Sequence, residues 1–483
     1  MTEIIIAIAK YIMIILITVY TVLAFTYLRG KTHRGRNFVN AMQIFCIIAL
    51  HLTGYLAILA YTGTAYLIFL YAAQLLFFVL YLALFRLIYP RASRMLLNNS
   101  CMLLAVSFIM LTRLDESKGV RQSVITVFAA IVALIVPVAV RKLKDLWKPG
   151  WIYGIIGMAA LLAVLLYGSQ TNGSYLSFDI GGIVSLQPSE FVKITFVFFV
   201  ASMFQHSISF KRAVVTTAVA IVHVLILVAS TDLGAALIYY IAYLLMLFVA
   251  TKSYLYLLGG LGCGCVAAIF AYFAFAHVQT RVAVWIDPWI DPTGDSYQIL
   301  QSLFAIGSGG WLGSGLYLGS PEYIPLAYSD FIFSAICEEM GGIFAMMIVL
   351  IYLSCLLQFL WISTWMDGMF YKIVAFGLAA VFGSQVFLNV GGVIKLIPST
   401  GITLPFVSYG GSSITSTFIM FGIIQGLYIL KQDEVDRIEK ERLETEKRAQ
   451  QRVRGQAVHQ KGSEEGPKGA ENSAEGRKRV KQS

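Results

Sequence analysis

Thirteen apolar runs divide this chain, near residues 4 to 28, 38 to 62, 65 to 88, 96 to 112, 120 to 140, 151 to 167, 187 to 205, 212 to 230, 232 to 250, 255 to 277, 330 to 360, 371 to 394 and 409 to 430. Each approaches the roughly 20 residues a helix needs to cross hydrocarbon, where every backbone polar group must be satisfied inside the segment. With 58% of the 483 residues hydrophobic and only 13% charged, a soluble globular domain is excluded. The chain is expected to be an all-α polytopic membrane protein of about thirteen transmembrane helices. The first run has neither a basic start nor a small-residue cleavage site, so it reads as a retained helix. All six cysteines fall inside apolar runs without CxxC spacing, which argues against a zinc site and a disulfide framework.

Lysine and arginine cluster in alternate connections: Arg29 to Arg36, Arg86 to Arg94, Arg141 to Lys144, Lys211-Arg212, Lys252 and the C-terminal tail. Short cytoplasmic loops hold the positive excess, so the tail is expected inside and the N-terminus outside. The net charge of +10 is then a topology signal, and no nucleic-acid partner is expected. Two long non-helical stretches, Gly168 to Leu186 and Val278 to Ser329, fall outside, together with Lys395 to Ser408. From Lys431 the chain becomes charge-dense and then Gly-, Ser-, Glu- and Lys-rich, predicting a cytoplasmic appendage whose second part is disordered.

Ionisable residues near membrane crossings mark site candidates, because they are costly unless paired or hydrated. Gln187-Pro188-Ser189-Glu190 opens a helix, with Lys193 three residues on, as either a buried ion pair or a binder of an anionic head group. Asp232 is either a helix cap or part of a site. The long outer loop carries Arg281, Trp285, Asp287, Trp289, Asp291, Asp295 and Gln298, then Ile306-Gly-Ser-Gly-Gly. Aromatic faces and carboxylates at that density suit a sugar, and the glycines suit a tight re-entrant turn. Asp330, Glu338 and Glu339 follow on the outer half of one helix, eight residues separating the first two. A stretch broken by Pro and Gly, from Lys395 through Pro398, Gly401 and Ser408 to Ser413, survives at membrane depth only inside protein or along a wet cavity.

At these residues the sequence resembles the SEDS family (shape, elongation, division and sporulation), the RodA, FtsW and SpoVE group of peptidoglycan glycosyltransferases. The likeness rests on Gln187-Pro-Ser-Glu190-x-x-Lys193, on Asp291-Pro-x-Gly-x-x-Tyr-Gln298, on Asp330-Phe-Ile-Phe with Glu338-Glu339-x-Gly341, and on Pro398-x-x-Gly401 through Ser413. It implies three parts: an N-terminal extension of three transmembrane helices (1–95), a ten-helix glycosyltransferase core (96–430) and a charged, partly disordered cytoplasmic tail (431–483).

The resemblance also implies a multi-pass protein of the bacterial cytoplasmic membrane that polymerises lipid II, the undecaprenyl-pyrophosphate-linked disaccharide pentapeptide, on the outer face with inversion. A sugar hydroxyl is a poor nucleophile at neutral pH, so a placed carboxylate must take its proton. Asp291 matches the family's outer-loop aspartate and is expected to be that base; Asp287 competes, and Asp295 matches no family position. Substrate contacts are expected from Glu190, Lys193, Asp232, Gln298, Asp330, Glu338, Glu339, Lys395, Ser408 and Arg121. Lys193, Arg121 or a divalent cation (Mg or Mn) would steady the leaving pyrophosphate. Membrane lipids and a class B penicillin-binding protein are the other implied partners. Departures from the family pattern are Tyr328-Ser329 before Asp330, Tyr175-Leu-Ser before the first motif, and Lys395 where Gly is frequent. A lipid-linked-sugar translocator and a scaffold for a transpeptidase are the competing readings; a translocator calls for internal repeats, and none is found.

Overall fold

The computed structural model describes residues 2–29, 33–142, 145–171, 174–180, 184–205 and 209–464. Parts of the basic loop at 29–36, Lys144, parts of the outer stretch 168–186 and the final Gly- and Ser-rich tail lie outside the described residues. Residues Met1–Ile429 form one compact unit, and a second begins at Leu430.

The apolar runs are helices: α1 Thr2–Arg29, α2 His33–Thr62, α3 Tyr66–Ile88, α4 Arg94–Leu114, α5 Glu116–Lys142, α6 Gly150–Tyr167, α7 Pro188–Met203, α8 Phe210–Ala229, α9 Leu233–Thr251 and α10 Tyr254–Ala274. They continue as α13 Ile332–Trp365, α14 Met369–Val393 and α15 Gly411–Glu464. Twelve of these are long and apolar enough to cross a membrane; the run at 187–205 forms α7, sixteen residues, below that length. The stretch between α6 and α7 is not featureless. It folds into an antiparallel sheet, β1 Ser169–Thr171, β2 Ser174–Ile180 and β3 Val184–Leu186, in the order β1-β2-β3.

Helix α4 is the axis of the bundle, and its membrane window is wholly enclosed by protein. Lipid cannot reach its Asn98 and Asn99, so both amides must find partners in neighbouring helices. Asn98 donates to Asn40 (3.0 Å) and Gln43 (2.9 Å) of α2; Asn99 accepts from Tyr20 of α1 (2.7 Å) and donates to Ser354 of α13 (2.7 Å). His51, a lone polar residue in the sequence, lies 2.9 Å from the Gln74 carbonyl oxygen, and Gln74 donates onward to Ser123 of α5.

The long loop between α10 and α13 holds two short helices, α11 Ala276–Ile286 and α12 Tyr297–Gly309. Beyond α12 the chain crosses α13 where that helix is broken at Gly341 (φ 86°, ψ 167°). A break at membrane depth frees backbone groups that must be re-satisfied. Ser314 and Gly315 donate to the carbonyls of Glu338 (2.9 Å) and Glu339 (2.8 Å), while Gly342 and Ile343 donate to those of Gly310 (2.9 Å) and Trp311 (3.1 Å). The two strands of chain lie so close that a Cβ on Gly309 or Gly313 would collide with the α13 backbone. The glycines predicted to permit a tight turn are therefore also the surface of a crossover.

Candidate functional site

On α11 the residues His277, Arg281 and Trp285 recur every four positions and so share one face. That face, with Asp295, Gln298, Asp330, Lys395 and Gly401, lines a cavity of about 340 Å³ where the starts of α12 and α13 meet the end of α14. Trp285 Nε1 donates to the Lys395 carbonyl (3.2 Å), tying α11 to the broken segment, and Gln298 donates to the Pro325 carbonyl (3.0 Å). Gly401 (φ 71°) sits between two opposite charges: a Cβ there would stand at ordinary contact distance, 3.7 Å from Asp330 Oδ2 and 3.9 Å from Arg281 Nη2, so it is the positive φ that favours glycine.

Enclosure disfavours charge in this cavity. It pushes the Asp330 carboxyl above the usual carboxylate range, although a hydrogen bond from Ser329 and the Arg281 charge oppose the shift. Burial likewise lowers Arg281, opposed by Asp330 and Asp232, and lowers His277, helped by Arg281.

A smaller pocket of about 50 Å³ shares the Gly401 wall and is lined by Gln187, Ser189, Glu190, Lys193, Asp232 and Thr403, among others. Lys193 pairs with Glu190 and donates to Gln385 (2.9 Å), and Ser416 donates to Glu190 (2.8 Å). Asp232 caps α9 through the Ala235 amide (3.0 Å) and accepts from Ser189 (3.1 Å), so it is both cap and pocket wall. Burial raises its carboxyl above the ordinary value, with Glu190 adding repulsion and the Ala235 and Ser189 donors opposing.

The fold thus gathers Glu190, Lys193 and Asp232 in one pocket, and Gln298, Asp330 and Lys395 in the adjoining one. Asp291 lies in an exposed turn just before α12, where its carboxylate accepts from the amides of Gly294 (3.2 Å) and Asp295 (3.0 Å). Of the loop aspartates Asp287, Asp291 and Asp295, the one among the lining residues is Asp295, which matched no motif.

Four expected contacts are not among the lining residues of either cavity. Glu338 accepts from the Ser320 amide (2.8 Å), and Glu339 from the Tyr317 amide (2.9 Å) and Arg113 Nε (2.8 Å); both carboxylates anchor the loop after the crossover. Glu338 thus lines neither the pocket of Glu190 and Asp232 nor the larger cavity. Ser408 donates to the Ser329 carbonyl (2.6 Å) and accepts from the Leu404 amide (2.8 Å), knitting the broken segment together. Arg121 is exposed on α5. Sequence reasoning passed over Arg113, whose partner lies 226 residues away, and underweighted His277 and Arg281, whose four-residue spacing was the available signal.

The fold and cavity define a polytopic membrane protein with a charged, half-open chamber at one end of its helices. The chain belongs to the cell cycle protein family of FtsW, RodA and SpoVE, whose model matches residues 88–432. It is 32% identical over 370 residues to the peptidoglycan glycosyltransferase RodA of Mycobacterium tuberculosis, covering 69% of this chain and 77% of that protein. It is 30% identical over 308 residues to the peptidoglycan glycosyltransferase MrdB of Escherichia coli, covering 61% and 82%. Among solved structures, it resembles a chain of a peptidoglycan synthase complex described as coordinating polymerization and crosslinking (TM-score 0.61, 23% identity, 70% of this chain and 97% of that one). It also resembles the Thermus thermophilus rod shape determining protein RodA (TM-score 0.54, 21% identity, 70% and 96%).

Proposed function

We propose that this protein is a peptidoglycan glycosyltransferase that joins lipid II molecules by inverting glycosyl transfer. The observation that carries the reading is the 340 Å³ chamber whose lining brings Arg281 and Lys395 together with Asp295 and Asp330. Its cationic side suits a diphosphate leaving group, and its acids and the Gln298 amide suit sugar hydroxyls. Asp291, in the turn before α12, takes the proton of the attacking 4-hydroxyl as the anomeric carbon is displaced from the lipid pyrophosphate. Lys193 is already held by Glu190 and Gln385, so Arg281 and Lys395 are the better-placed charges for the departing diphosphate. Among the described residues no group of three or more His, Cys, Asp or Glu side chains is placed to hold a metal ion. The protein's own positive charges nearest the departing diphosphate are Arg281 and Lys395.

In this reading the chamber faces outward, with the N-terminus outside and the tail in the cytoplasm, residues 96–430 form the catalytic core, and a class B penicillin-binding protein cross-links the product. The test is purified full-length protein supplied with fluorescent lipid II, alone and with that transpeptidase, followed by product sizing. Polymer formation is expected. Translocation of labelled lipid II across vesicles without polymer under any partner condition overturns the reading in favour of a translocator.

A further inference from the structure

We propose that Lys10 and Tyr61, in helices α1 and α2 outside the family match, are positioning residues for the outer chamber, holding the 310–317 crossover in the break of α13. The activity arm of this inference rests on the reading above; its structural arm does not.

Lys10 is the only charged residue in α1 between Glu3 and Arg29. An ammonium inside a membrane crossing is costly unless it finds a polar partner. Its partner is the Gly313 carbonyl, 2.9 Å from Nζ, in the middle of the crossover. One turn earlier on α1, Ile6 lies against Gly315, close enough that a Cβ there would stand 3.0 Å from Ile6 Cγ2. Tyr61, at the end of α2, stacks on Tyr317 with centroids 4.2 Å apart and planes 15° from parallel. The Arg113 guanidinium lies over the same Tyr317 ring at 4.2 Å, and the Tyr317 amide donates to Glu339. Tyr317 is held at φ 65°, a conformation its neighbours must enforce.

The extension can act as a fixed frame because it is fastened to the core by enclosed polar contacts. Tyr20 bonds Asn99, Asn98 bonds Asn40 and Gln43, and the Tyr55 hydroxyl lies 3.0 Å from Thr112. The crossover in turn reaches the chamber through α12. At one end of that helix Gly309 packs on the Cys337 carbonyl; at the other, Gln298 and Ile299 line the cavity. Midway, Ser302 contacts Ser334 (2.6 Å) and the Val393 carbonyl (3.1 Å), which supplies a pivot. A thirteen-residue helix is a rigid rod about 20 Å long, so a shift at the crossover displaces Gln298.

The test compares full-length wild type with Lys10→Met, Lys10→Arg and Tyr61→Ala by hydrogen exchange and by lipid II turnover. Exchange of the Ser314, Gly315, Gly342 and Ile343 amides is expected to quicken about fivefold or more in Lys10→Met and Tyr61→Ala, with α4 unchanged. KM is expected to rise about threefold or more with kcat nearly constant, and Lys10→Arg to restore both. Wild-type exchange at the crossover in Lys10→Met and Tyr61→Ala overturns the proposal. So does acceleration that spreads equally to α4, which marks a merely structural role, and so does faster crossover exchange with unchanged KM. A wild-type protein that makes no polymer overturns the glycosyltransferase reading alone, and the exchange measurements still decide the clamp.

Discussion

Arg113 Nε stands 2.8 Å from Glu339 Oε1, joining α4 to α13 across the bundle, with Glu339 fully enclosed and Arg113 only 10% exposed. Removing Arg113 leaves the enclosed Glu339 carboxylate uncompensated, at a cost of about 3 kcal/mol, whereas removing Glu339 leaves Arg113 its exposed partner Glu322 at 3.6 Å. Arg113→Met and Glu339→Gln should each lower the melting temperature clearly in detergent. The double variant should lose less than the sum of the two. Additive losses would show that the residues act separately.

In the proposed mechanism Asp291, in the exposed turn before α12, is the base, and Asp295, in the cavity lining, contacts substrate. A positioned general base contributes on the order of 100- to 10,000-fold. Asp291→Asn is expected to reduce lipid II polymerisation by about 100-fold or more with KM little changed, while Asp295→Asn should act mainly on KM. The reverse pattern in steady-state kinetics transfers the base to Asp295.

Lys395 is held at φ 62° with its side chain on the chamber wall and no ion pair among the described residues. A cation left unneutralised there is available to a diphosphate. Lys395→Met should raise KM about tenfold, the equivalent of one lost charge-assisted contact of about 1.4 kcal/mol. Unchanged KM in the same assay would identify Lys395 as an interfacial anchor.

Gly341 occupies the left-handed region, and a Cβ there would collide with the Gly313 amide; a Cβ on Gly342, next to it, would meet nothing nearer than 3.4 Å. Gly341→Ala should therefore destabilise by about 2 kcal/mol or more, while Gly342→Ala is tolerated. Thermal unfolding of the two variants side by side checks this.

Asp330, raised above the ordinary carboxyl value by enclosure, binds its proton more readily folded than unfolded. Its contribution to stability is complete below the unfolded value of about 3.9 and is lost as pH rises through the raised folded value. Asn mimics the neutral acid. The melting temperature of Asp330→Asn, relative to wild type, should climb as pH is raised from the acid side to neutrality; a fall instead shows that attraction to Arg281 dominates.

Helix positions were legible because hydropathy is local. Runs such as 96 to 112 and 371 to 394 became α4 and α14 within a few residues, since one segment's transfer into lipid needs no knowledge of its neighbours. The pairing of Glu190 with Lys193 was legible for the same reason, three positions on one helix face. The use of Glu339 was not, because its partner comes from α4. Nor was the break at Gly341, since glycine inside an apolar run is common, and only the arrival of residues 310–315 turns it into a joint.

The order of these parts along the chain bears on how the protein is made. Residues that close the α13 break, Lys10 and then 310–315, all precede Gly341, so they leave the ribosome before the broken helix does. The interrupted span thus enters the bilayer with its missing partners already synthesised. Moving Lys10 to the far end of the chain by circular permutation would take that anchor away at the moment of insertion, and the fault would appear as failed biogenesis.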